Sequence, residues 1–287
     1  MSPRFSTPGR PRTSSINSSR GTTMRKGDTG GEVRDLQFLL TSNGYGVDVD
    51  GVFDEADDAA VRAFQAANGM VVDGIAGPRT LNALRGYEGD EKHLTQADIE
   101  AAATALEVPA AAIHTIAEVE SDGSGFLGDG RPKILFERHQ LYRLLKEAGE
   151  DADALAGRYP ELINPKRGGY RGGSAEWYRL TTARSISTLA DQAASWGRFQ
   201  IMGYHWGICG ADSPAAFVAA MGESEGRHLS ALVAFIDADP TLHKALKSLK
   251  WADFAKLYNG PAYKENLYDA KLAAAYKRHA GAQEVAA

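Results

Sequence analysis

The most informative stretch of this 287-residue sequence reads Ala117-Glu118-Val119-Glu120-Ser121-Asp122-Gly123-Ser124-Gly125-Phe126. It closes a helical pattern and passes into a loop rich in glycine. Ile113 marks the buried side of that helix. At roughly 100° per residue, Glu120 lies within about 20° of Ile113, whereas Glu118 lies about 140° away. The pattern therefore predicts that Glu120 faces the interior and that Glu118 faces solvent.

A second glutamate continues an apolar stripe in the same way. Leu141 and Leu145 belong to the buried face of the next predicted helix, and Glu137 extends that face one turn earlier. Burial raises the pKa of a carboxyl group and suits it to donate a proton near neutral pH. Glycoside hydrolysis uses such an acid together with a second carboxylate. The residues alone leave two interpretations open. In one, Glu120 is a structural carboxylate that pairs with an arginine such as Arg138 or caps a neighbouring helix; in the other, Glu120 is a general acid and Glu137 acts as base or electrostatic stabiliser.

Helical spacing dominates the sequence after residue 94. A strand is predicted at Ile134–Phe136 and a hairpin around the glycines of residues 168–173, a segment that could also cover a glycan. Thr95 or Asp98 can cap the first helix of this part. The predicted helices cover residues 95–106, 109–120, 141–148, 186–194, 214–221, 229–236, 251–257 and 263–277.

Three shorter helical patterns precede these, within residues 24–85. Val49-Asp50-Gly51-Val52 is echoed by Val72-Asp73-Gly74-Ile75, and each tetrapeptide leads into a helix. Asp-Gly turns combine a side-chain hydrogen bond with the positive φ that glycine tolerates. Pro78 occupies the favoured first position of the third helix. This part is predicted to be a domain of its own.

The same part resembles the three-helix peptidoglycan-binding domain of cell-wall hydrolases. The resemblance rests on residues 26–37, 50–53, 60–65 and 73–81. It implies docking on the cell wall, with the contact surface near the Asp-Gly turns. The expected wall-binding residues are Asp50, Phe53, Asp73 and Arg79.

The larger part resembles the N-acetylmuramidase domain of bacteriophage endolysins. Residues 117–126 and 130–139 carry the likeness, and Glu120-Ser121 resembles the catalytic Glu-Ser of goose-type lysozymes and soluble lytic transglycosylases. Residues 194–203 resemble the Gly-x-x-Gln-Ile-Met block of these enzymes, and Tyr258-Asn259-Gly260 their Tyr-Asn-Gly motif. The substrate-binding residues expected from these motifs and from nearby aromatic side chains are Ser121, Phe126, Gln200, Tyr204, Tyr258, Asn259 and Tyr263.

Within that set, chemistry suggests distinct roles. The Gln200 amide can meet an N-acetyl group or hold the attacking water, and Tyr258 can brace the acid by a hydrogen bond. Aromatic rings stack on sugar faces, so Phe126, Tyr204 and Tyr263 are expected to line subsites.

The predicted fold is mainly α, with a small three-helix peptidoglycan-binding domain and a larger lysozyme-like helical domain that contains a minor β element. We expect a disordered leader at 1–23, the binding domain at 24–85, a linker at 86–94 and the catalytic domain at 95–287. The function implied is hydrolysis of the β-1,4 bond between N-acetylmuramic acid and N-acetylglucosamine in peptidoglycan, leading to lysis of the host cell.

Composition limits the partners. A net charge of −5 gives no general attraction to nucleic acid, and no apolar run reaches the length of a membrane span. The leader lacks the apolar segment of a secretory signal, so we expect synthesis in the host cytoplasm and action on the wall in the periplasm. Neither a metal nor a cofactor is expected, because the seven histidines show no zinc-ligand spacing. The protein is expected to be a monomer.

Three alternatives remain open from sequence. A lytic transglycosylase would cleave the same bond with a single acid, and Glu137 is the residue that separates the two mechanisms. A noncatalytic wall-binding or virion protein would keep both folds without chemistry. A cysteine peptidase would need Cys209 together with His228, but the surroundings of Cys209 carry no activating signature.

Overall fold

The computed structural model describes residues 23–86, 92–120 and 123–286. Predictions for residues 1–22, 87–91 and Ser121 therefore lie outside the described residues. The chain divides into two compact units, with the division between Ala101 and Ala102. We describe each unit by itself.

The first unit contains the three predicted helices, α1 (Gly31–Ser42), α2 (Glu55–Ala67) and α3 (Pro78–Leu84). Asp54 caps α2 by accepting from the N–H groups of Ala56 and Asp57, and Pro78 opens α3. The buried apolar residues form one core, made of Met24, Val33, Leu36, Leu40, Phe53, Val61, Phe64, Met70, Ala76, Leu81 and Leu84.

A buried glutamine organises each Asp-Gly turn of this unit. Gln37 donates to Asp50 Oδ1 at 3.0 Å and accepts from Gly51 N at 2.8 Å. Gln65 donates to Asp73 Oδ1 at 2.8 Å and accepts from Gly74 N at 3.0 Å. Both aspartates also accept from the N–H two residues later, as the turn chemistry predicts. The sequence echo is therefore a structural repeat of helix and turn.

The next helix is α4, and the helices and strands of the second unit follow it. Thr95 caps α4, because its Oγ1 accepts from Asp98 N at 3.2 Å. The elements in chain order are α4 (Gln96–Ala105), α5 (Ala110–Val119), β1 (Ile134–Phe136), α6 (Arg138–Glu147), α7 (Ala152–Arg158), α8 (Ser174–Arg184), β2 (Ala194–Trp196), β3 (Ile201–Met202), α9 (Pro214–Glu223), α10 (Glu225–Asp237), α11 (Pro240–Lys247), α12 (Trp251–Asn259) and α13 (Tyr268–Ala286).

Helix α5 lies at the centre of this unit. Every residue from 111 to 117 is buried, so the helix has no solvent face over that length. Helix α13 packs along it. The prediction that Glu118 faces solvent is wrong for this reason: Glu118 pairs with Arg278 at 2.6 Å and with His279 at 2.9 Å. Burial acts to raise the pKa of Glu118, but these partners outweigh it and lower the pKa to about 2.

A small antiparallel sheet in the order β1-β2-β3 packs beside the helices. Ile134 pairs with Trp196 and Phe136 with Ala194, whereas Ser195 pairs with Met202. The predicted strand at Ile134–Phe136 is confirmed. The helix predicted over 186–194 is wrong, because that segment forms a 3-10 turn at Ala190–Ala193 and then enters β2.

The remaining differences concern short elements. No hairpin strands form in the segment 168–173, which leads directly into α8. Sequence periodicity also missed the short helices α7 and α11, of 7 and 8 residues, and the longer helix α8, of 11 residues. Across the described residues the fold is mainly α with a minor β element, as predicted. Among these residues no helix combines the length and the apolar character needed to cross a membrane.

Candidate active site

Glu120 is the residue immediately after α5, where its N–H closes the helix on Ile116 O at 2.9 Å. The residue is half-buried by exposure, yet protein atoms surround its carboxyl densely. Burial raises the pKa of Glu120 from 4.5 to about 7, against the opposing effects of a hydrogen bond from Asn259 and the charge of Lys271. A carboxyl group with this pKa can hold and release a proton near neutral pH.

The contact to Glu120 comes from the end of α12. Asn259 Nδ2 donates to Glu120 Oε1 at 3.0 Å. The preceding residue, Tyr258, is buried, and its hydroxyl donates to Phe199 O at 3.4 Å. Burial and the nearby charge of Glu120 raise the pKa of Tyr258. The Tyr-Asn pair thus lies beside the acid, and Asn259 supplies the hydrogen bond that sequence reasoning gave to Tyr258.

Glu137 lies between β1 and the first turn of α6, and it is buried. Its N–H donates to Ala193 O at 3.0 Å. Its carboxylate accepts from Tyr170 Oη at 2.7 Å and from Arg167 Nη2 at 3.4 Å, and His139 Nδ1 lies 3.1 Å away. The inward orientation that the apolar stripe predicts is present.

The surroundings of Glu137 favour its anion. Burial acts to raise the pKa of Glu137, but hydrogen bonds from His139 and Tyr170 and the charge of Arg167 outweigh it. The pKa therefore lies below its ordinary value of 4.5. The second unit thus contains two enclosed glutamates that are shifted in opposite directions, one toward the acid and one toward the carboxylate.

A row of aromatic rings joins the surroundings of the two glutamates. The ring of Tyr258 packs on Phe235 at 6.4 Å, Phe235 on His205 at 5.1 Å, and His205 on Tyr204 at 4.4 Å. Burial raises the pKa of Tyr204 against the charge of Arg143, and the charge of Glu137 adds to the rise. The row therefore runs from the neighbour of Asn259 to a tyrosine within electrostatic range of Glu137.

One buried ion pair holds the segment around Glu120. Glu225 at the start of α10 accepts from Gly125 N at 2.5 Å and from Arg198 Nη1 at 3.1 Å. Arg198 Nη2 also donates to Ala117 O at 3.3 Å. Ala117 precedes Glu120 and Gly125 follows it, so this pair fixes the chain on both sides of the acid.

His228 lies beneath two glycines of the same region. Its Nδ1 accepts from Arg198 N at 3.0 Å, and its ring stacks on Phe126 at 5.0 Å. A Cβ added to Gly125 would lie 2.6 Å from the His228 ring, and one added to Gly197 2.7 Å from it. Phe126, which we expected to line a subsite, is only 5% exposed and packs against His228 in the interior instead.

A second buried carboxylate organises the surroundings of Glu137. Glu176 at the start of α8 accepts from Phe136 N at 3.2 Å and from Arg179 Nη1 at 2.7 Å. Its other oxygen accepts from the N–H groups of residues 171–172 at 2.5 and 3.0 Å. Glu176 therefore ties β1 to the loop of residues 167–173, from which Arg167 and Tyr170 reach Glu137.

The other predicted substrate-binding residues differ in their surroundings. The Gln200 side chain accepts from Ser195 Oγ and donates to Gly197 O, each at 2.8 Å, and it also donates to Lys133 O at 3.4 Å. Gln200 therefore has a structural role, and its role in substrate binding remains a prediction. Tyr204 is half-buried under the Arg143 guanidinium at 4.8 Å, and Tyr263 is half-buried in a 3-10 turn.

The predicted wall-binding residues of the first unit also differ in how exposed they are. Phe53 is 1% exposed and lies in the core, so the expectation that it contacts the wall is wrong. Asp50 is exposed and Asp73 half-buried, and one carboxylate oxygen of each is used within its own turn. Arg79 is half-buried and donates to Leu94 O at 2.7 Å.

Sequence reasoning missed Glu176 and Glu225 as buried carboxylates. Each lies in the first turn of a helix, where a glutamate commonly interacts with the helix N-terminus at the surface. Their sequence positions therefore carried no signal of burial. Tyr170 falls in the glycine-rich segment 168–173, for which the sequence allowed either a cover over the glycan or a surface hairpin without a role, and Arg167 directly precedes it. Nothing in that segment indicated a contact with Glu137.

The surroundings of Cys209 do not suit nucleophilic catalysis. Burial raises the pKa of the Cys209 thiol to about 12, and Sγ lies 3.6 Å from Ala231 O, so the group is not an activated nucleophile. Among the described residues no cluster of three or more His, Cys, Asp or Glu side chains is arranged to hold a metal ion.

Comparison with known proteins gives two family matches. Residues 109–280 match the N-acetylmuramidase family, and residues 29–84 match a putative peptidoglycan-binding domain. A Burkholderia AP3 phage endolysin of known crystal structure is 51% identical with a TM-score of 0.86, covering 90% of this chain and 99% of that one.

Two curated relatives match over short regions. A zinc D-Ala-D-Ala carboxypeptidase of Streptomyces albus G is 39% identical over 72 residues, 24% of this chain and 28% of that protein. The N-acetylmuramoyl-L-alanine amidase CwlL of Bacillus licheniformis is 36% identical over 83 residues, 28% of this chain and 23% of that protein. The chain thus spans about a quarter of the length of these two relatives.

Proposed function

The chain belongs to the N-acetylmuramidase family, and we propose that Glu120 is the general acid with which this endolysin-like muramidase cleaves the glycan strand of peptidoglycan. The bond cut is the β-1,4 linkage between N-acetylmuramic acid and N-acetylglucosamine. Glu137 is the second carboxylate of the reaction. The opposite pKa shifts of these two glutamates are the observation that carries the proposal.

Each glutamate has one task in the proposed reaction. Protonated Glu120 gives its proton to the glycosidic oxygen as the bond to the anomeric carbon breaks, and positive charge develops on the sugar ring. The Glu137 anion stabilises that charge or takes a proton from the attacking water, which leaves a reducing end. After the proton has left, the hydrogen bond that Asn259 donates stabilises the negative charge on Glu120. The site can therefore accommodate both states of the acid.

The loop of residues 167–173 supports the second task. Arg167 and Tyr170 donate to Glu137, while Glu176 holds the loop and β1 together. A carboxylate held by several donors stays ionised at the pH where Glu120 is protonated. A lytic transglycosylase does not need a second ionised carboxylate, so this arrangement favours hydrolysis.

The first unit supplies attachment to the wall, and peptidoglycan is the partner of the whole chain. We propose that one chain acts alone, because the wall-binding unit and both glutamates belong to the same polypeptide. Its proposed place of action is the peptidoglycan layer of the host, reached from the host cytoplasm where the protein is made.

The test is zymography on purified peptidoglycan with Glu120→Gln and Glu137→Gln proteins. We expect Glu120→Gln to lose clearing by about 10²-fold or more, the scale of general-acid catalysis, while it still sediments with the wall. Glu118→Gln, two residues away and paired with α13, is the matched control and should keep most activity. If Glu120→Gln clears peptidoglycan as well as the unaltered protein does, Glu120 is not the general acid.

The released fragments distinguish the mechanisms. Mass analysis should show reducing ends, because water is the proposed acceptor. Anhydro ends, with activity that survives Glu137→Gln, would instead assign the chain to the transglycosylases.

A further inference from the structure

The two helix-and-turn repeats of the first unit differ on their outer face, most clearly at the position after the buried glutamine. Arg34 and Gln37 of α1 correspond to Arg62 and Gln65 of α2, and each arginine donates to a backbone oxygen of its own Asp-Gly turn. The residue after each glutamine does not correspond. It is Phe38 in the first repeat and Ala66 in the second. Only the first repeat therefore presents an aromatic ring here.

Phe38 is 65% exposed, an unusual state for a phenylalanine in a unit that has a well-formed core. Contacts on either side locate it. Arg34, one turn before, reaches Asp50 O at 3.3 Å, and Thr41, one turn after, reaches Val47 O at 3.4 Å. Residues three and four apart share one face of a helix, so Phe38 lies alongside the loop of residues 47–51.

That loop adds a second exposed apolar side chain. Val49 is 49% exposed and precedes the Asp-Gly turn, whereas its counterpart Val72 is half-buried. Exposed carboxylates surround the two apolar groups, with Asp35 one turn from Phe38 and Asp48 next to Val49. We call Arg34, Asp35, Phe38, Asp48 and Val49 the Phe38 face.

The charge of the unit limits what this face can bind. Residues 23–101 contain 15 acidic and 7 basic side chains, a net charge of −8. An acidic peptide stem would be repelled by such a surface. A neutral sugar chain would not, because an aromatic ring packs on the apolar face of a sugar while carboxylates accept hydrogen bonds from its hydroxyl groups.

We propose that the Phe38 face is a binding site for the glycan strand of peptidoglycan, with Phe38 stacking on a sugar ring. The inference rests on the proposed attachment of the first unit to the wall and names the surface and the part of the polymer involved. It also replaces the buried Phe53 as the aromatic contact.

The experiment uses full-length protein that carries Glu120→Gln, so that the wall stays intact during the measurement. Binding to purified sacculi is measured by sedimentation for this parent and for Phe38→Ala and Phe38→Trp. We expect Phe38→Ala to weaken binding by about tenfold, which corresponds to loss of about one buried aromatic contact, and Phe38→Trp to retain it. Tyr178→Ala removes an equally exposed ring, 70% exposed on α8, and is the matched control.

Two further arms identify the ligand. Glycan strands that an amidase has freed of their peptide stems, and soluble N-acetylglucosamine oligomers, should each compete with intact sacculi for the parent. Competition by the released stem peptides and not by these glycans would overturn the assignment to glycan. Equal binding by Phe38→Ala and the parent would overturn the Phe38 face but leave wall attachment standing, whereas a parent that does not bind would overturn both.

Discussion

At the scale of single residues, Glu120 and Glu137 illustrate how surroundings divide two identical side chains into different tasks. Glu120 has one hydrogen-bond donor and a dense protein environment, so burial dominates and the pKa rises to about 7. Glu137 is buried as well, but three polar neighbours oppose the effect of burial. The number of donors, and not burial alone, determines which of the two glutamates carries the proton.

The pH dependence of the reaction follows from these shifts. Glu120 acts only when protonated, so kcat/KM on a soluble glycan should fall as pH rises above about 7, approaching tenfold per pH unit. Below neutrality activity should persist until Glu137 is protonated, which occurs below its ordinary pKa of 4.5. Asn259→Ser removes a donor that favours the Glu120 anion. The fall of kcat/KM at high pH, which we call the alkaline limb of the profile, should therefore move to higher pH. If the alkaline limb stays in place in this variant, a group other than Glu120 causes the loss of activity at high pH.

The raised pKa also has a stability consequence. Between pH 4.5 and about 7 the folded protein holds a proton on Glu120 that the unfolded chain has lost, so stability falls as pH rises through this window. The loss amounts to about 3 kcal/mol once pH exceeds 7. Glu120→Gln should therefore raise Tm by about 6–12 °C at pH 8 and leave it nearly unchanged at pH 4.5. Equal Tm values at both pH values would contradict a buried, proton-binding Glu120.

At the scale of secondary-structure elements, the end of α5 depends on a partner far along the chain. The Arg198–Glu225 pair contacts Ala117 before the acid and Gly125 after it. This arrangement makes Glu225 a positioning residue, because its contacts with Gly125 N and Arg198 act on the chain on either side of the acid. The helix that carries Glu120 is therefore oriented by α10 as well as by its own packing.

Glu225→Gln tests that role. The amide keeps the size of the side chain but removes the charge that orients Arg198, so kcat should fall by about tenfold to a hundredfold with little change in KM. A less tightly held Glu120 is better solvated, and the alkaline limb should move to lower pH. Glu223→Gln, which breaks an exposed pair with Arg227 at 2.7 Å, should change neither quantity. A loss of Tm alone, with the limb unmoved, would reduce Glu225 to a structural residue.

Sequence periodicity was informative about where the longer helices lie. It located α1, α5 and α6, and it placed Glu120 and Glu137 inward. It failed for Glu118, because α5 is enclosed on all sides and the angle between residues no longer separates core from solvent. It also failed for 186–194, where alanine and leucine fit a helix equally well but the chain forms a 3-10 turn at Ala190–Ala193 before Ala194 enters the central strand.

Sequence periodicity could not predict contacts between distant segments, for a different reason. Glu176 and Glu225 resemble ordinary first-turn glutamates, and only the folded chain brings backbone N–H groups from other loops to their oxygens. Phe53 shows the converse, since a hydrophobic residue in a binding motif is also what a small core needs. A family motif does not distinguish residues that make contact with a ligand from residues that build the domain.

At the scale of the whole molecule, charge is distributed unevenly along the chain. Residues 1–22 contain four arginines and no acidic side chain, residues 23–101 carry a net charge of −8, and residues 102–287 contain 22 acidic and 21 basic side chains. The acidic excess therefore belongs to the unit that is proposed to attach to the wall. Attachment through an acidic surface requires a ligand whose binding does not depend on opposite charge.

Salt dependence tests this balance on the whole chain. The cell wall carries anionic groups, so its repulsion from the acidic unit should weaken as salt shortens the Debye length from about 30 Å at 0.01 M to about 8 Å at 0.15 M. Binding of the Glu120→Gln protein to sacculi should then strengthen by about two- to threefold over that range, because stacking on a neutral sugar is insensitive to salt. A steep fall in affinity with salt would mean instead that basic side chains, such as the four arginines before residue 23, dominate attachment.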